Sequence, residues 1–214
     1  MDTTLPPLDW RLCLVADTAY SRGRDLLDLM MTSVEAGATL VQLRAKNLSD
    51  REFLELCLAA RTKLDQGGVP LIVNDRVDIA LAGQASGVHL GQDDMPLQAA
   101  RAILGRGRII GISASTVEEA RRAEHGGADY IGVGPVFNTA SKDYETPPLG
   151  LEGLNRIRRS VRIPILAIGG ITAANARQVL ESGADGLAVI SAILGARDAA
   201  SATVELLKSF VPRT

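Results

Sequence analysis

One pattern recurs four times along this chain and limits its fold more than any other feature. The stretches read VEAGATLVQLR from Val34, GQASGVHLG from Gly83, EHGGADYIGVG from Glu124 and ESGADGLAVIS from Glu181. Each puts glycine near the end of a helix, then a small residue, then a short hydrophobic strand. Helix stop and strand start coincide every time, which marks repeated alpha-beta units rather than isolated strands. Four further strands fill the gaps, at Leu12–Ala16, Pro70–Val73, Arg108–Ile112 and Pro164–Ile168.

Helices are expected near Arg24–Ala36, Asp50–Gln66, Arg76–Gly83, Pro96–Leu104, Thr116–Gly126, Leu151–Ser160, Ala173–Ser182 and Ala199–Val211. Ser49 with Glu52, and Ser115 with Glu118, have capping-box spacing. Pro96 suits the first turn of its helix, and Thr172 suits the cap of the helix starting near Ala173. Eight short strands rich in Ile, Val and Leu, alternating with eight helices, fit a parallel sheet covered by helices. The expected fold class is α/β, a (β/α)8 TIM barrel formed by residues 1–214 as one catalytic domain. A doubly wound sheet is the main alternative, but LVADTAYSRG follows the first strand where that fold carries a glycine fingerprint.

Composition narrows the partners. The chain has 214 residues, 23 Lys plus Arg and 25 Asp plus Glu, for a net charge of -2. That balance argues against nucleic acid and against a polybasic membrane surface. One Trp, three Tyr and three Phe exclude a large aromatic core. Cys13 and Cys57 make no disulfide framework and are expected to be inert and buried. With only His89 and His125 beside them, they also argue against a structural zinc site. The opening MDTTLPPLDWR lacks a basic region leading into an apolar segment, so a soluble, cytoplasmic protein is expected.

In a barrel, chemistry collects where strands end. Gln42 and Arg44 share one side of the second strand and point inward, with Lys46 just beyond. A buried Arg needs an anionic ligand or an internal carboxylate nearby. Asn74-Asp75 end the third strand, and GQDD with Asp93 and Asp94 follows the fourth. Asp75 and Asp94 could share Mg²⁺, although Asp and Asn also cap helices and form turns. Thr139, Ser141 and Lys142 lie on the loop after the sixth strand, and Gly169-Gly170 after the seventh offer backbone amides to a phosphate. Ile190-Ser191 end the eighth strand beside them. Asp17 could enter the pocket or form a turn, His89 could be core or site, and Asp129 and Asp185 belong to the opposite face.

Taken together, VQLRAK, VNDRVDIAL, GVHLGQDDMP, GISAST, GPVFNTASK, AIGGI and LAVISAI resemble the thiamine-phosphate synthase (thiamine-phosphate pyrophosphorylase) family, from the second strand through the eighth. The resemblance implies a Mg²⁺-dependent transferase. It would join 4-amino-5-hydroxymethyl-2-methylpyrimidine diphosphate to 4-methyl-5-(2-phosphooxyethyl)thiazole, releasing diphosphate, and CO2 where the thiazole is carboxylated. It implies that Gln42, Arg44, Lys46 and Asn74 contact the pyrimidine diphosphate and that Asp75 and Asp94 hold Mg²⁺. Ser113 would lie near the reacting groups, Thr139 and Ser141 against substrate, and Lys142 against diphosphate. Gly169, Gly170, Ile190 and Ser191 would surround the thiazole phosphate. Arg44, Lys46, Ser113 and Lys142 form the expected catalytic group, and the family permits a homo-oligomer. Asn138 stands where the family often has proline. Ser115 stands where it often has histidine, which favours synthase over the related thiazole tautomerases.

Overall fold

The computed structural model describes residues 8–139 and 147–210. Its strands are β1 (Leu12–Asp17), β2 (Leu40–Arg44), β3 (Leu71–Asn74), β4 (Gly87–Leu90), β5 (Ile109–Ala114), β6 (Tyr130–Val133), β7 (Ile165–Ile168) and β8 (Gly186–Val189). They pair in parallel in sequence order, and β8 closes on β1 through Leu12↔Leu187. The helices are α1 (Leu26–Glu35), α2 (Asp50–Asp65), α3 (Val77–Ala82), α4 (Leu97–Leu104), α5 (Val117–His125), α6 (Gly150–Arg158), α7 (Ala176–Glu181), α8 (Ser191–Leu194) and α9 (Ala199–Leu207). The (β/α)8 barrel is therefore as expected. No helix among the described residues is long and apolar enough to cross a membrane.

The four-fold repeat has a geometric cause. The residue that turns each helix into its strand has a left-handed backbone, with φ of 110° at Gly37, 84° at Gly127 and 107° at Gly183. In the second repeat Gly83 is right-handed and Gln84 takes the turning position at φ 52°. Two residues on, directly before each even strand, comes a side chain that accepts a backbone N–H from the start of the preceding strand. Thr39 accepts from Leu12 (3.1 Å), Ser86 from Leu71 (3.1 Å), Asp129 from Ile110 (2.7 Å) and Asp185 from Ile165 (2.8 Å). These four fasteners satisfy amides at the lower rim, where no strand neighbour reaches them. Arg101 on α4 and Arg158 on α6 add ion pairs to Asp129 and Asp185, at 2.7 and 2.8 Å.

Asp129→Ala should thus lower stability by about 1–2 kcal/mol, the loss of hydrogen bonds to a charged acceptor. Turnover at the far end of the barrel should be unchanged. Denaturant melts beside steady-state rates check both halves, and a fall in rate without a fall in stability would contradict this placement.

Several local expectations shift. The described residues carry one helix more than the eight expected, the four-residue α8 just after β8. The second capping box is Thr116 with Glu119, not Ser115 with Glu118, because Glu119 takes the N–H of both Ser115 (2.7 Å) and Thr116 (3.2 Å). Thr172 does not cap α7, which begins at Ala176. Asn175 closes the preceding turn instead, accepting from the Thr172 N–H at 2.8 Å and donating to the Gly170 carbonyl at 3.0 Å. Pro96 stands at the N-cap of α4, one residue outside the helix. Cys13 and Cys57 are free and buried, and burial pushes their thiols up to about 12 and about 11.

Candidate active site

Strand parity sends alternate side chains into the barrel, so the polar inward positions define the upper cavity. Gln42 and Arg44 from β2, Asn74 from β3, His89 from β4, Ser113 from β5 and Tyr130 from β6 line a cavity of about 550 Å³. Val15, Leu166, Ile168 and Ile190 form its apolar side.

Arg44 pairs with Asp17, its register partner at the end of β1. Asp17 is only 1% exposed, so the internal carboxylate that a buried Arg requires is present. Asp17 also accepts from the Ala19 N–H at 2.9 Å, so it forms the turn, while Arg44 and not Asp17 lines the cavity. Lys46 reaches outward from β2 to pair with Asp75. Asp75 has φ 63°, and its N–H bonds the His89 carbonyl at 2.8 Å, which holds the strained turn in place.

Asp94 comes from the loop after β4 to lie within hydrogen-bonding reach of Asp75. Burial, and then the neighbouring Asp75, push its carboxyl above the ordinary carboxylate range. The Gly91 N–H, at 2.6 Å, and Lys46 offset part of this. Two carboxylates crowded against one lysine suit a hard divalent cation. Groups of three or more such ligands do not occur among the described residues. A pair is nevertheless enough for Mg²⁺, which keeps several waters and is completed by substrate phosphates. Asp93 is exposed and stands outside the pair.

A second hollow, of about 430 Å³, lies between the ends of β7 and β8 and adjoins the first at Ile168, Ala188 and Ile190. Gly169, Gly170, Ile190, Ser191 and Thr139 line it. Gly169 and Gly170 have φ of 100° and 65°, and a Cβ on Gly170 would stand 2.5 Å from the Asn138 carbonyl oxygen. Neither the backbone angle nor the space admits a side chain there. The residues after β6 are tied down on this turn, with Phe137 N–H donating to the Gly169 carbonyl at 3.0 Å. Ser141 and Lys142 lie outside the described residues.

The structure thus brings Gln42, Arg44, Asn74 and Ser113 into one cavity; Lys46 and Asp75 line a neighbouring hollow that shares Asn74 with it, Asp94 lies beside Asp75, and the glycine turn lines the adjoining hollow. Tyr130 is the site residue that sequence reasoning passed over. Its signal was parity: an inward tyrosine two residues before Gly132, in a chain with few aromatics.

The family model described as thiamine monophosphate synthase matches residues 12–193. The chain belongs to the thiamine-phosphate synthase family. Among its relatives, thiamine-phosphate synthase of Chloroflexus aurantiacus is 49% identical over 93% of this chain and 92% of its own length. That of Syntrophomonas wolfei is 50% identical over 89% and 91%. The solved thiamine phosphate pyrophosphorylase from Pyrococcus furiosus superposes with a TM-score of 0.86 at 43% identity, covering 94% of this chain and 95% of that one. A 3-hexulose-6-phosphate synthase, at 18% identity and a TM-score of 0.69, shares the fold alone.

Proposed function

We propose that the protein is a transferase that forms thiamine phosphate. It moves the pyrimidinylmethyl group of 4-amino-5-hydroxymethyl-2-methylpyrimidine diphosphate onto the ring nitrogen of 4-methyl-5-(2-phosphooxyethyl)thiazole. Diphosphate leaves, and CO2 also leaves where the thiazole is carboxylated. The observation that carries this reading is two adjoining hollows at one barrel mouth, one lined by Gln42, Arg44, Asn74 and Ser113 and the other by the turn at Gly169 and Gly170.

In this reading Arg44, Lys46 and Asn74 grip the diphosphate while Gln42 reads the pyrimidine ring. Asp75 and Asp94 hold Mg²⁺, which when bound supplies positive charge to the departing diphosphate. Breaking the C–O bond places growing negative charge on the leaving group, and Arg44 and Lys46 are aimed at it before the reaction starts. Lys142 belongs to the same cationic set by family resemblance. The backbone at Gly169, Gly170, Ile190 and Ser191 takes the thiazole phosphate, Thr139 and Ser141 contact substrate, and Ser113 sits beside the reacting groups. Holding both partners together lets the thiazole nitrogen capture the electrophilic methylene carbon. The absence of a strong general base from these roles is consistent with a step that removes no proton. Ser115 donates to Glu119 at 2.9 Å and serves the start of α5, which favours this reading over thiazole tautomerisation.

Supplying the folded protein with Mg²⁺ and both phosphorylated substrates should yield thiamine phosphate and diphosphate in equal amounts. Absence of both products would remove the assignment. Conversion of a thiazole isomer without pyrimidine diphosphate would replace it with a tautomerase.

A further inference from the structure

The loop between β4 and α4 carries Asp94, and little apolar packing holds it. Gln92, Asp93, Met95 and Pro96 are all exposed. A hollow of about 710 Å³ is lined by Gln92, Asp94, Met95 and Pro96 from this loop and by Glu119 and Arg122 from α5. The loop thus faces open space there, where a closely packed one would rest on α5.

Two hydrogen bonds shape it instead. Within the loop, the Gly91 N–H donates to Asp94 Oδ2 at 2.6 Å, and a Cβ on Gly91 would stand 3.0 Å from that oxygen. The second bond leaves the loop. Gln92 Nε2 donates to the Ser113 carbonyl on β5, also at 2.6 Å.

Strand length makes that carbonyl available. β5 runs to Ala114, whereas β4 stops at Leu90, the register partner of Ile112. Successive carbonyls of a strand face opposite neighbours, and that of Ala114 accepts from the Gly134 N–H on the β6 side at 3.4 Å. The Ser113 carbonyl therefore faces past the end of β4, and the Gln92 side chain takes the place of strand backbone. A carbonyl can only accept, so an amide fits here where a carboxylate would not.

This bond joins two parts of the site, because the Ser113 side chain lines the cavity and Asp94 follows Gln92 on the same loop. Asp75 and Asp94 are like charges, which a loosely held loop would let drift apart. We propose that Gln92 is a positioning residue for the divalent cation, fastening the Asp94 loop to β5 so that Asp94 stays beside Asp75. This rests on the proposed function, in which those two carboxylates hold Mg²⁺. The ion then meets ligands already placed, and the loop is ordered on folding rather than on binding.

The test measures binding apart from turnover, with Mn²⁺ as a probe of the same oxygen preference, its free fraction read by electron paramagnetic resonance. Gln92→Met keeps the length of the side chain and removes the donor. It should weaken Mn²⁺ binding about tenfold and raise the Mg²⁺ concentration for half-maximal rate by a similar factor. Turnover at saturating Mg²⁺ and the metal-free melting temperature should stay near wild type. Gln92→Ala should give the same shifts. Equal Mn²⁺ affinity in wild type and Gln92→Met overturns the inference, and lost binding in Asp94→Asn then shows that the metal pair itself still stands. Weaker binding with an equally marked fall in metal-free melting temperature also overturns it, since Gln92 would then serve only the end of β5. A wild type that binds no Mn²⁺ removes the inference together with the metal role in the proposed function.

Discussion

Arg44→Met is expected to cost the protein both its turnover and about 3 kcal/mol of stability, because it strands the Asp17 carboxylate. That carboxylate is 1% exposed and pairs with Arg44 where β1 and β2 lie in register. Adding Asp17→Asn removes the uncompensated charge and leaves a side chain of nearly the same shape. The double variant should therefore recover most of the stability while turnover stays low, since the guanidinium proposed to grip the diphosphate is still missing. Denaturant melts of the two single variants and the double variant, each paired with rates, separate these effects. Recovery of turnover in the double variant would show that Arg44 serves only to neutralise Asp17.

Asp75→Asn and Asp94→Asn should each lower kcat/KM by about 100-fold or more, the scale of losing charge stabilisation at a leaving group. Stability should move the other way for Asp94. Its carboxyl is held above the ordinary carboxylate range, first by burial and then by Asp75. The neutral form is therefore the one the folded state favours. Stability from this group is complete at low pH and is lost as pH rises through the raised folded value. Metal-free wild type should accordingly melt lower at neutral than at mildly acidic pH, with Asp94→Asn lacking that part of the decline. Mg²⁺ should raise the wild-type melting temperature and have little effect on Asp94→Asn. If Mg²⁺ stabilises both proteins equally, the cation binds elsewhere.

Some of this was legible in the chain before any coordinates. A glutamine and an arginine two residues apart in an otherwise aliphatic strand must share a face, so Gln42 and Arg44 were visible as inward residues. The repeat around Gly37, Gly127 and Gly183 fixed helix ends and strand starts because a left-handed turn leaves few choices of residue. Gln84 shows the limit, since there the turn persists without glycine. The helix α8 escaped because four residues are too few to show a helical period. The Asp17–Arg44 pair escaped because strand register sets it, across a separation of 27 residues. Tyr130 escaped because its hydrogen-bond partner, His89, stands on another strand, and only the register of β4, β5 and β6 brings the two together.

The lower rim and the upper mouth differ in redundancy. Below, four fasteners do the same task with threonine, serine and two aspartates, so the chain has already exchanged those residues among equivalent positions. Above, the polar side chains hold distinct positions and partners, Arg44 on Asp17 and Lys46 on Asp75. Sequence drift at positions 39, 86, 129 and 185 should be absorbed one fastener at a time, as a graded loss. At the mouth a single exchange should end the proposed reaction.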